Sequence, residues 1–242
     1  MSTYRERVYQ HYVNARHSSL ASANISGLTQ RAPYLKRVIR EHFPSDRSAR
    51  IIDLGCGHGA VVYFAQAAGY QNVVGVDRSP EQIKEAQRLG IAGVREGDLL
   101  KTLESLSDES VDLIVAFDVI EHFTKDELVL LVDEVNRVLR KSGKWIIHTP
   151  NGESPFAGRI RYGDFTHEQA FTRTSLAQLL NASGFPLVTC YEDSPIPHGI
   201  KSTVRLILWK IFRGGLKVFI AAETGSLDDC IFSQNLLAVA VK

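Results

Sequence analysis

The chain has 242 residues, of which 44% are hydrophobic and 23% are charged, and its formal net charge is +1. This length fits one large domain with an elaboration, and the near-neutral charge excludes a strong general attraction to nucleic acid or to acidic partners. The three cysteines form neither a zinc pattern nor a disulfide framework, so we expect a reducing, cytoplasmic compartment. The first residues lack the apolar core of a signal peptide, and no apolar run is long enough to span a bilayer.

Residues 1–48 precede the first predicted strand and have the pattern of two helical stretches, broken near residues 24–27. Pro33 suits the first turn of the second stretch, where a missing N–H costs little. Residues 44–48 are polar and predict a linker. The sequence therefore predicts a helical unit ahead of a domain that covers residues 49–242.

From residue 50 onward, predicted strands and helices alternate, which indicates an α/β fold with a doubly wound, mostly parallel sheet. Seven strands are predicted at residues 50–54, 73–77, 93–95, 111–117, 144–149, 187–191 and 232–241. Helices are predicted at residues 60–68, 80–89, 125–141 and 174–183. A glycine-rich polar loop at residues 150–172 interrupts the alternation, and a loop of that length is usually functional.

The first strand of this domain runs directly into three glycines at alternate positions, Gly55, Gly57 and Gly59. Glycines allow the backbone to bend sharply and to approach a ligand closely. The helix that follows presents its N-terminus to that ligand, which favours an anionic group. A strand, a glycine turn and a helix in this order predict a nucleotide-type pocket.

Three acids lie at the ends of the strands around this pocket. Asp53 precedes the glycine turn, Asp77 ends the second strand, and Asp98 follows the third. The position of Asp77 suits a carboxylate that reaches ribose hydroxyls, and Asp98 can face an adenine edge. Each acid could instead cap a turn or a helix, but three in order favour a nucleotide ligand.

A nicotinamide-binding Rossmann domain is the main competing interpretation of the same residues. Gly55, Gly57 and Ala60 satisfy the looser Gly-x-Gly-x-x-Gly/Ala pattern of that fold. Asp53 before the turn, the additional Gly59 and the third acid Asp98 disfavour it.

The motifs Asp-Leu-Gly-Cys-Gly-x-Gly, Val-Asp and Glu-Gly-Asp, within residues 50–151, together resemble the Rossmann-like (class I) methyltransferases that use S-adenosylmethionine (SAM). The resemblance implies that the glycine turn packs on the methionine part of SAM, that Asp77 holds the ribose and that Asp98 holds the adenine amine. It also implies an antiparallel last strand and a helical lid formed by residues 1–48. Tyr12, Arg16 and His17 either line the inner side of this lid or lie on a solvent-exposed helix face. The cofactor-binding residues that we expect are Asp53, Gly55, Cys56, Gly57, Gly59, Asp77, Arg78, Asp98, Leu99 and Asp118.

The fourth predicted strand delivers Asp118, Glu121 and His122 to its carboxyl end, where ligands of open α/β sheets bind. A hydroxyl acceptor must lose its proton during methyl transfer, and histidine is the usual base near neutral pH. The stretch Asp-Val-Ile-Glu-His-Phe resembles a motif of small-molecule O-methyltransferases of this fold. This resemblance implies that His122 is a catalytic base and that Glu121 contacts the substrate, whereas the alternative is that His122 only caps the next helix.

A second polar cluster lies in the long loop, at residues 161–168. Tyr162, Asp164 and Phe165 suit recognition of a hydroxyl-rich acceptor, and His167 is a second candidate base. The stretch Tyr-Gly-Asp-Phe-Thr-His-Glu resembles methyltransferases of bacterial surface-glycan gene clusters.

The two polar clusters together could bind a divalent ion through Glu121, His122, Asp164 and His167. Their spacing in the sequence matches no recognised ligand motif, however. On spacing alone we expect no metal.

Residues 201–222 have the pattern of a basic amphipathic helix, with a break expected at Gly214 and Gly215. Such a helix can lie in a membrane surface, and it can equally pack on its own domain or on a partner in a homodimer. The cations that recur along it are Lys201, Arg205, Lys210, Arg213 and Lys217.

The sequence therefore predicts a SAM-dependent methyltransferase that acts on a hydroxyl of a small polar or glycan acceptor, in the cytoplasm or at the inner face of the membrane. Methylation of a phenol or quinone precursor is the alternative, and a SAM-binding protein without turnover is less favoured. A nucleic-acid substrate is not expected, because no Asn/Asp-Pro-Pro-Tyr motif follows the fourth strand and the net charge is near zero.

Overall fold

The computed structural model describes Tyr4 and residues 7–8, 25–226 and 230–242. Tyr12, Arg16 and His17, the predicted lid residues, therefore lie outside the described part of the chain. The second predicted helical stretch forms a 3-10 helix, Ile25–Gln30, and helix α1, Ala32–His42, with Pro33 in its first turn. Leu35, Val38 and Ile39 of α1 join the core on one face of the sheet, so α1 is packed into the domain.

The seven strands form one sheet in the order β3-β2-β1-β4-β5-β7-β6. The first five strands are parallel, while β7 runs antiparallel to both β5 and β6. The prediction of a doubly wound α/β fold with an antiparallel last strand is therefore confirmed. The strands are β1 Arg50–Leu54, β2 Asn72–Asp77, β3 Val94–Glu96, β4 Val111–Phe117, β5 Leu139–Pro150, β6 Leu187–Glu192 and β7 Asn235–Val241.

The helices flank this sheet and begin at the residues that favour helix starts. Ser79 caps its helix by accepting a hydrogen bond from the Gln82 amide, and Thr124 forms a capping box with Glu127. The predicted helix at residues 125–141 ends at Val138, because the chain enters β5 at Leu139. The helices after α1 are α2 Ala60–Ala67, α3 Pro80–Arg88, α4 Leu99–Glu104, α5 Lys125–Val138, α6 Ala157–Arg161, α7 Arg173–Ala182 and α8 Ile200–Thr224.

Apolar side chains on both faces of the sheet hold these layers together. The apolar side of α5, Leu128 to Val138, packs with Trp145 on one face, and α1 and α2 cover the other. Full burial of such a side chain contributes roughly 1.5–3 kcal/mol to folding. Because β1 lies between β2 and β4, the helices that follow β1 and β4 lie on opposite faces, and a crevice opens at the carboxyl ends of these strands.

Helix α8 corrects the predicted break at Gly214 and Gly215, because the helix continues through both residues. Each glycine costs a helix about 1 kcal/mol relative to alanine. The helical segments on both sides of the two glycines, residues 200–213 and 216–224, offset that cost. The helix ends at Thr224, and Gly225 after it has a φ of 75°, the left-handed conformation common after a helix C-terminus. None of the residues of α8 is buried, so its apolar side is exposed. Within the described part of the chain, no helix combines the length and apolarity that a membrane crossing requires.

Candidate active site

The glycine turn after β1 has the left-handed backbone that the sequence predicted, with φ of 68° at Gly55, 54° at Gly57 and 84° at Gly59. A Cβ atom on Gly55 would lie 2.4 Å from Cγ2 of Val119, so a side chain there would collide with the segment after β4. The Gly55 amide donates to the Val76 carbonyl at 2.8 Å, which fixes the turn against the end of β2. The turn therefore closes tightly between β2 and β4.

A cavity of about 250 Å³ opens at this turn, at the carboxyl ends of the parallel strands. Most of the predicted cofactor residues line it, namely Gly55, Gly57, Asp77, Arg78, Asp98, Leu99 and Asp118. Asp53, Cys56 and Gly59 are not among the lining residues. Asp53 is buried at the end of β1, and its burial, together with the nearby Asp77 carboxylate, raises its pKa well above the usual value.

Asp77 is held rigidly at the edge of this cavity. Its carboxylate accepts a hydrogen bond from the Gly57 amide at 2.8 Å and a second from the Ser79 amide at 2.8 Å. Asp98 begins α4 and accepts a hydrogen bond from the Lys101 amide at 3.1 Å, so it caps a helix and also lines the cavity. Both acids retain oxygen lone pairs for a ligand, which fits the ribose and adenine amine of SAM.

Sequence reasoning missed several lining residues, namely Ser79, Gln82, Leu100, Val119, Phe123 and Glu127. Gln82 lies in the first turn of α3, directly after the strand-end Asp77 and its cap, and that position is the signal that could have identified it. Its side-chain oxygen is buried in the wall of the cavity, close to the His58 imidazole. A ligand with hydrogen-bond donors, as SAM has, suits a cavity with such an acceptor in its wall.

Asp118 directly follows β4 and has a φ of 58°, a strained conformation for a residue with a side chain. Its carboxylate lies 2.7 Å from Nδ1 of His148 and 3.6 Å from the guanidinium of Arg31. The second ring nitrogen of His148 lies 3.4 Å from the Asp193 carboxylate. Sequence reasoning missed this contact, because only the pairing of β4 with β5 brings the two residues together.

The contact between Asp118 and His148 is an ion pair at neutral pH. Burial opposes the charged imidazole, but the carboxylates of Asp118 and Asp193 raise the pKa of His148 to about 10. Burial likewise acts to raise the pKa of Asp118, but the charge of His148 outweighs it and lowers that pKa below its usual value. The pair therefore fixes the end of β4 against β5 beside the cavity.

Glu121, His122 and His167 form a compact cluster next to the cavity. The 3-10 turn Ile120–His122 follows β4, and the loop 150–172 brings His167 to it. Nε2 of His167 lies 4.0 Å from Oε1 of Glu121, and the two imidazole rings are 4.8 Å apart between centroids. The fold thus brings His167, which is distant in the sequence, next to the adjacent residues Glu121 and His122.

The loop that carries His167 is fixed to the turn by backbone hydrogen bonds. The Glu121 carbonyl accepts from the amides of Glu168 at 2.7 Å and Gln169 at 3.1 Å. The Glu121 side chain is fully buried, and its Oε2 accepts a hydrogen bond from the Thr149 hydroxyl at 3.0 Å. The position of the cluster is therefore defined by both backbone and side-chain contacts.

Asp164 lies behind His122 in this arrangement. It is buried and accepts hydrogen bonds from the amide of Thr166 at 2.9 Å and from its hydroxyl at 2.7 Å. The Thr166 hydroxyl in turn lies 2.9 Å from Nδ1 of His122. These contacts assign Asp164 to positioning Thr166 and His122; the acceptor contact expected from the sequence stays a prediction.

Tyr162 and Phe165, the other predicted acceptor residues, project into solvent, with exposures of 80% and 81%. The ring of Tyr4 meets the Phe165 ring edge-on with centroids 6.1 Å apart, and the Tyr4 hydroxyl donates to Glu168. Tyr4 of the N-terminal segment therefore contacts this loop, while the lid itself stays a prediction.

Burial sets the protonation of the cluster. It lowers the pKa of His122 to about 4, with the neighbouring His167 adding to the effect, so this imidazole is neutral at neutral pH. Burial also raises the pKa of Glu121, and the charge of Asp118 acts in the same direction. Both effects follow from the cost of burying charge.

Comparisons with known proteins agree with this geometry. Residues 28–189 match a family model described as a methyltransferase domain. A probable SAM-dependent methyltransferase of Mycolicibacterium smegmatis is 31% identical over 137 residues, which is 56% of this chain and 51% of that protein. Cyclopropane mycolic acid synthase 3 of Mycobacterium tuberculosis is 26% identical over 188 residues, 76% of this chain and 66% of the relative.

The fold is also similar to solved structures. A SAM-dependent methyltransferase from Archaeoglobus fulgidus superposes with a TM-score of 0.64 and 22% identity, covering 90% of this chain and 100% of the other. The matched region spans about half to two thirds of the length of the two curated relatives, 51% and 66%.

Proposed function

The chain belongs to the methyltransferase family whose domain model matches residues 28–189, its cofactor is SAM, and from this premise we propose that it methylates a hydroxyl group of a small polar or glycan acceptor. The observation that carries the proposal is that His122 belongs both to the wall of the cofactor cavity and to a cluster with Glu121 and His167. A methyl-donor site and a proton-accepting site therefore adjoin.

SAM supplies an electrophilic methyl group on a sulfonium. In the proposed transfer the acceptor oxygen forms the new bond to the methyl carbon, the electron pair of the carbon–sulfur bond remains on sulfur, and the hydroxyl proton leaves to a base. Holding acceptor and methyl group close and aligned contributes much of the rate. His122 and His167 are the candidate bases, and an unprotonated His122 is in the form that accepts a proton.

The rim of the site supports a hydroxyl-rich acceptor. Tyr162 and Phe165 expose aromatic faces on the loop that carries His167, and Arg161 donates hydrogen bonds to the carbonyls of His167 and Glu168. Exposed aromatic faces next to polar groups suit the apolar faces and hydroxyl groups of a sugar ring.

A lipid chain is the second candidate acceptor. The similarity to cyclopropane mycolic acid synthase 3 favours it, as does the exposed apolar side of α8. The polar cluster favours the hydroxyl acceptor, because methylation of a hydrocarbon chain gives Glu121, His122 and His167 no hydroxyl to contact.

The test is an incubation with methyl-tritiated SAM and three fractions from the cell that encodes the protein: polar metabolites, lipid-linked glycans and simple lipids. The proposal predicts label in a polar or glycan fraction, and acid hydrolysis followed by mass spectrometry should identify an O-methyl product. Asp77→Ala serves as the variant with impaired cofactor binding. Label in acyl chains would support the second candidate, and no transfer to any fraction would indicate SAM binding without turnover.

A further inference from the structure

We propose that Glu121, His122 and His167 form a binding site for one divalent transition-metal ion, of which Zn²⁺ is the best-suited example, beside the cofactor cavity. The spacing of these residues in the sequence disfavoured a metal. The folded arrangement reverses that expectation. Three observations support the site: the distances between the ligand atoms, the hydrogen bonds of the two imidazoles, and the buried Glu121 carboxylate oxygen that accepts no hydrogen bond from the described residues.

The three side chains present their ligand atoms to one another. These atoms all lie within 4.8 Å of one another, and the His167 Nε2 to Glu121 Oε1 distance is 4.0 Å. Two ligands that are each about 2.1 Å from one metal in tetrahedral geometry are about 3.4 Å apart. Small rotations of the side chains would therefore close the cluster around an ion.

The hydrogen bonds of the imidazoles define which nitrogen carries a lone pair. Nδ1 of His167 lies 3.1 Å from the Ile160 carbonyl, which can only accept, so Nδ1 carries the proton. Nδ1 of His122 lies 3.3 Å from the Thr166 carbonyl and 2.9 Å from the Thr166 hydroxyl, whose own proton goes to Asp164. In the neutral form of each ring, these contacts leave the lone pair on Nε2.

The Glu121 carboxylate adds a third electron-pair donor to the cluster. Its Oε1 is buried, faces His167 and accepts no hydrogen bond from the described residues. A buried acceptor without a donor costs about 1–3 kcal/mol. A cation among two imidazole lone pairs and a carboxylate oxygen removes that cost.

The surrounding groups have the arrangement of an outer shell of a metal site. Metal-binding histidines usually donate their other N–H to a carbonyl, hydroxyl or carboxylate, which fixes the ring. Here the Ile160 carbonyl serves His167, the Thr166 hydroxyl and Asp164 serve His122, and Thr149 donates to Glu121. Asp164, which the sequence analysis considered as a fourth ligand of a disfavoured metal site, thus belongs to this outer shell.

The ligand set selects among metals. Two imidazole nitrogens and one carboxylate oxygen suit Zn²⁺ and other first-row divalent ions, whereas Mg²⁺ and Ca²⁺ prefer oxygen ligands alone. Three protein ligands leave further coordination positions for an exogenous group, as in catalytic sites.

The role of the ion rests on the proposed function. A divalent cation lowers the pKa of a hydroxyl that it binds, so the acceptor proton can leave to water as the oxygen forms its bond to the methyl carbon. His122 and His167 then act as ligands, and no histidine has to serve as the base.

The test measures metal binding directly, without an activity assay. The full-length protein is stripped with a chelator, dialysed and titrated in a calorimeter with ZnCl₂, MnCl₂ and MgCl₂ in separate runs. We expect one Zn²⁺ per chain, weaker binding of Mn²⁺ and much weaker binding of Mg²⁺. Loss of an outer-shell partner typically weakens metal affinity by about 10- to 100-fold, so Glu121→Gln and His167→Ala should each weaken it by at least that much.

The matched control is His198→Ala, which removes an exposed imidazole from outside the cluster and should leave the affinity unchanged. Thermal unfolding and SAM binding of each variant show that it is folded. Absence of saturable binding by the wild-type protein, or equal affinity in folded Glu121→Gln, would overturn the proposal. Methyl transfer by the metal-free protein would leave the proposed function intact and overturn the role of the ion in the reaction. Metal binding without methyl transfer to any acceptor would leave the metal site intact and contradict the proposed function.

Discussion

At the scale of single residues, Asp77 is the most informative position for cofactor binding. Its carboxylate lines the cavity and is held by the amides of Gly57 and Ser79. Asp77→Ala should weaken SAM binding by on the order of 2 kcal/mol, about 30-fold in Kd, because hydrogen bonds to a charged group are lost. Calorimetry measures the affinity, and thermal unfolding separates this loss from a loss of folding.

The control for this substitution is Glu104→Ala, which removes an exposed acid at the end of α4, outside the cavity lining. It should bind SAM as the wild type does. An unchanged affinity in Asp77→Ala would contradict the assignment of this carboxylate to the ribose.

The ion pair of Asp118 and His148 predicts a specific dependence of stability on pH. The raised pKa of His148, about 10, gives stability that is complete below its unfolded pKa of about 6.5 and is lost as pH rises toward 10. The lowered pKa of Asp118 gives stability that is complete above its unfolded pKa of about 3.9 and is lost as pH falls below that value. The pair is therefore fully effective between about pH 4 and 6.5.

Urea unfolding of the wild type and of His148→Gln at several pH values tests this window. Since the Asp118 side chain is 40% exposed, solvent screens the pair, and we expect a difference on the order of 2 kcal/mol in the window. The difference should shrink between pH 6.5 and 10. An equal difference at pH 6 and pH 10 would show that the imidazole is neutral in the folded protein.

The sequence correctly predicted cavity residues that lie at or directly after the carboxyl end of a single strand. Asp77, Asp98 and Gly55 lie at the cavity because strand ends in a parallel sheet meet at one edge. The contact of Asp118 with His148 could not be predicted, because it depends on strand register. The proximity of His167 to the fourth strand depends on the path of a long loop, which has no periodic pattern to follow.

At the scale of elements, the glycine turn combines backbone strain with close packing. Substitutions of Gly55 in the turn and of Gly90 elsewhere separate the two effects. Gly55 has a φ of 68° and a Cβ there would lie 2.4 Å from Val119, whereas Gly90 has a φ of 72° with open space around it. Alanine at either position pays the backbone strain, about 1–2 kcal/mol. Gly55→Ala should cost about 1–3 kcal/mol more, because the turn and Val119 must move apart.

Urea unfolding of the two variants measures this difference, and SAM calorimetry reports on the cavity. Gly90→Ala should retain SAM binding, while Gly55→Ala should lose most of it. Equal stability losses would show that the packing of Val119 on the turn is not tight.

Helix α8 is the element with the least explanation from the fold, because its apolar residues remain exposed, including Ile200 at 87% and Phe212 at 70%. The basic amphipathic pattern was evident from the sequence, but the continuation of the helix through two glycines was not, since helix propensity is a weak guide in a long helix.

Contact with an anionic membrane surface stays a prediction. Removing four cations of α8, by substitution with glutamine, should reduce vesicle co-sedimentation at low salt; they are Lys201, Arg205, Lys210 and Lys217.

Arg213 is kept in that variant because it pairs with Glu192. The matched control replaces four exposed cations elsewhere, at Lys84, Arg95, Lys125 and Lys141. Binding of the wild type should weaken with salt, because screening reduces attraction to anionic lipid. No sedimentation of the wild type at low salt would indicate that α8 packs on a protein partner or serves the fold alone.

At the scale of the whole molecule, the alternation of strands and helices was sufficient to predict the doubly wound sheet, and the family match agrees with it. Helix α4 was not predicted, because its six residues are too few to show a helical period. The placement of α1 in the core of one face was not predicted either, because a helix that precedes the first strand can pack anywhere on the sheet. Sequence pattern therefore determined the order of the layers, while tertiary packing determined the surroundings of the site.

We infer that the cavity at the ends of β1, β2 and β4 binds SAM as the cofactor. The most direct measurement is calorimetric titration of the purified protein with SAM, with its demethylated product and with a nicotinamide dinucleotide. We expect saturable binding of SAM and of the product at one site per chain, and no saturable binding of the dinucleotide. Saturable binding of the dinucleotide in preference to SAM would show that this cavity is not a SAM site.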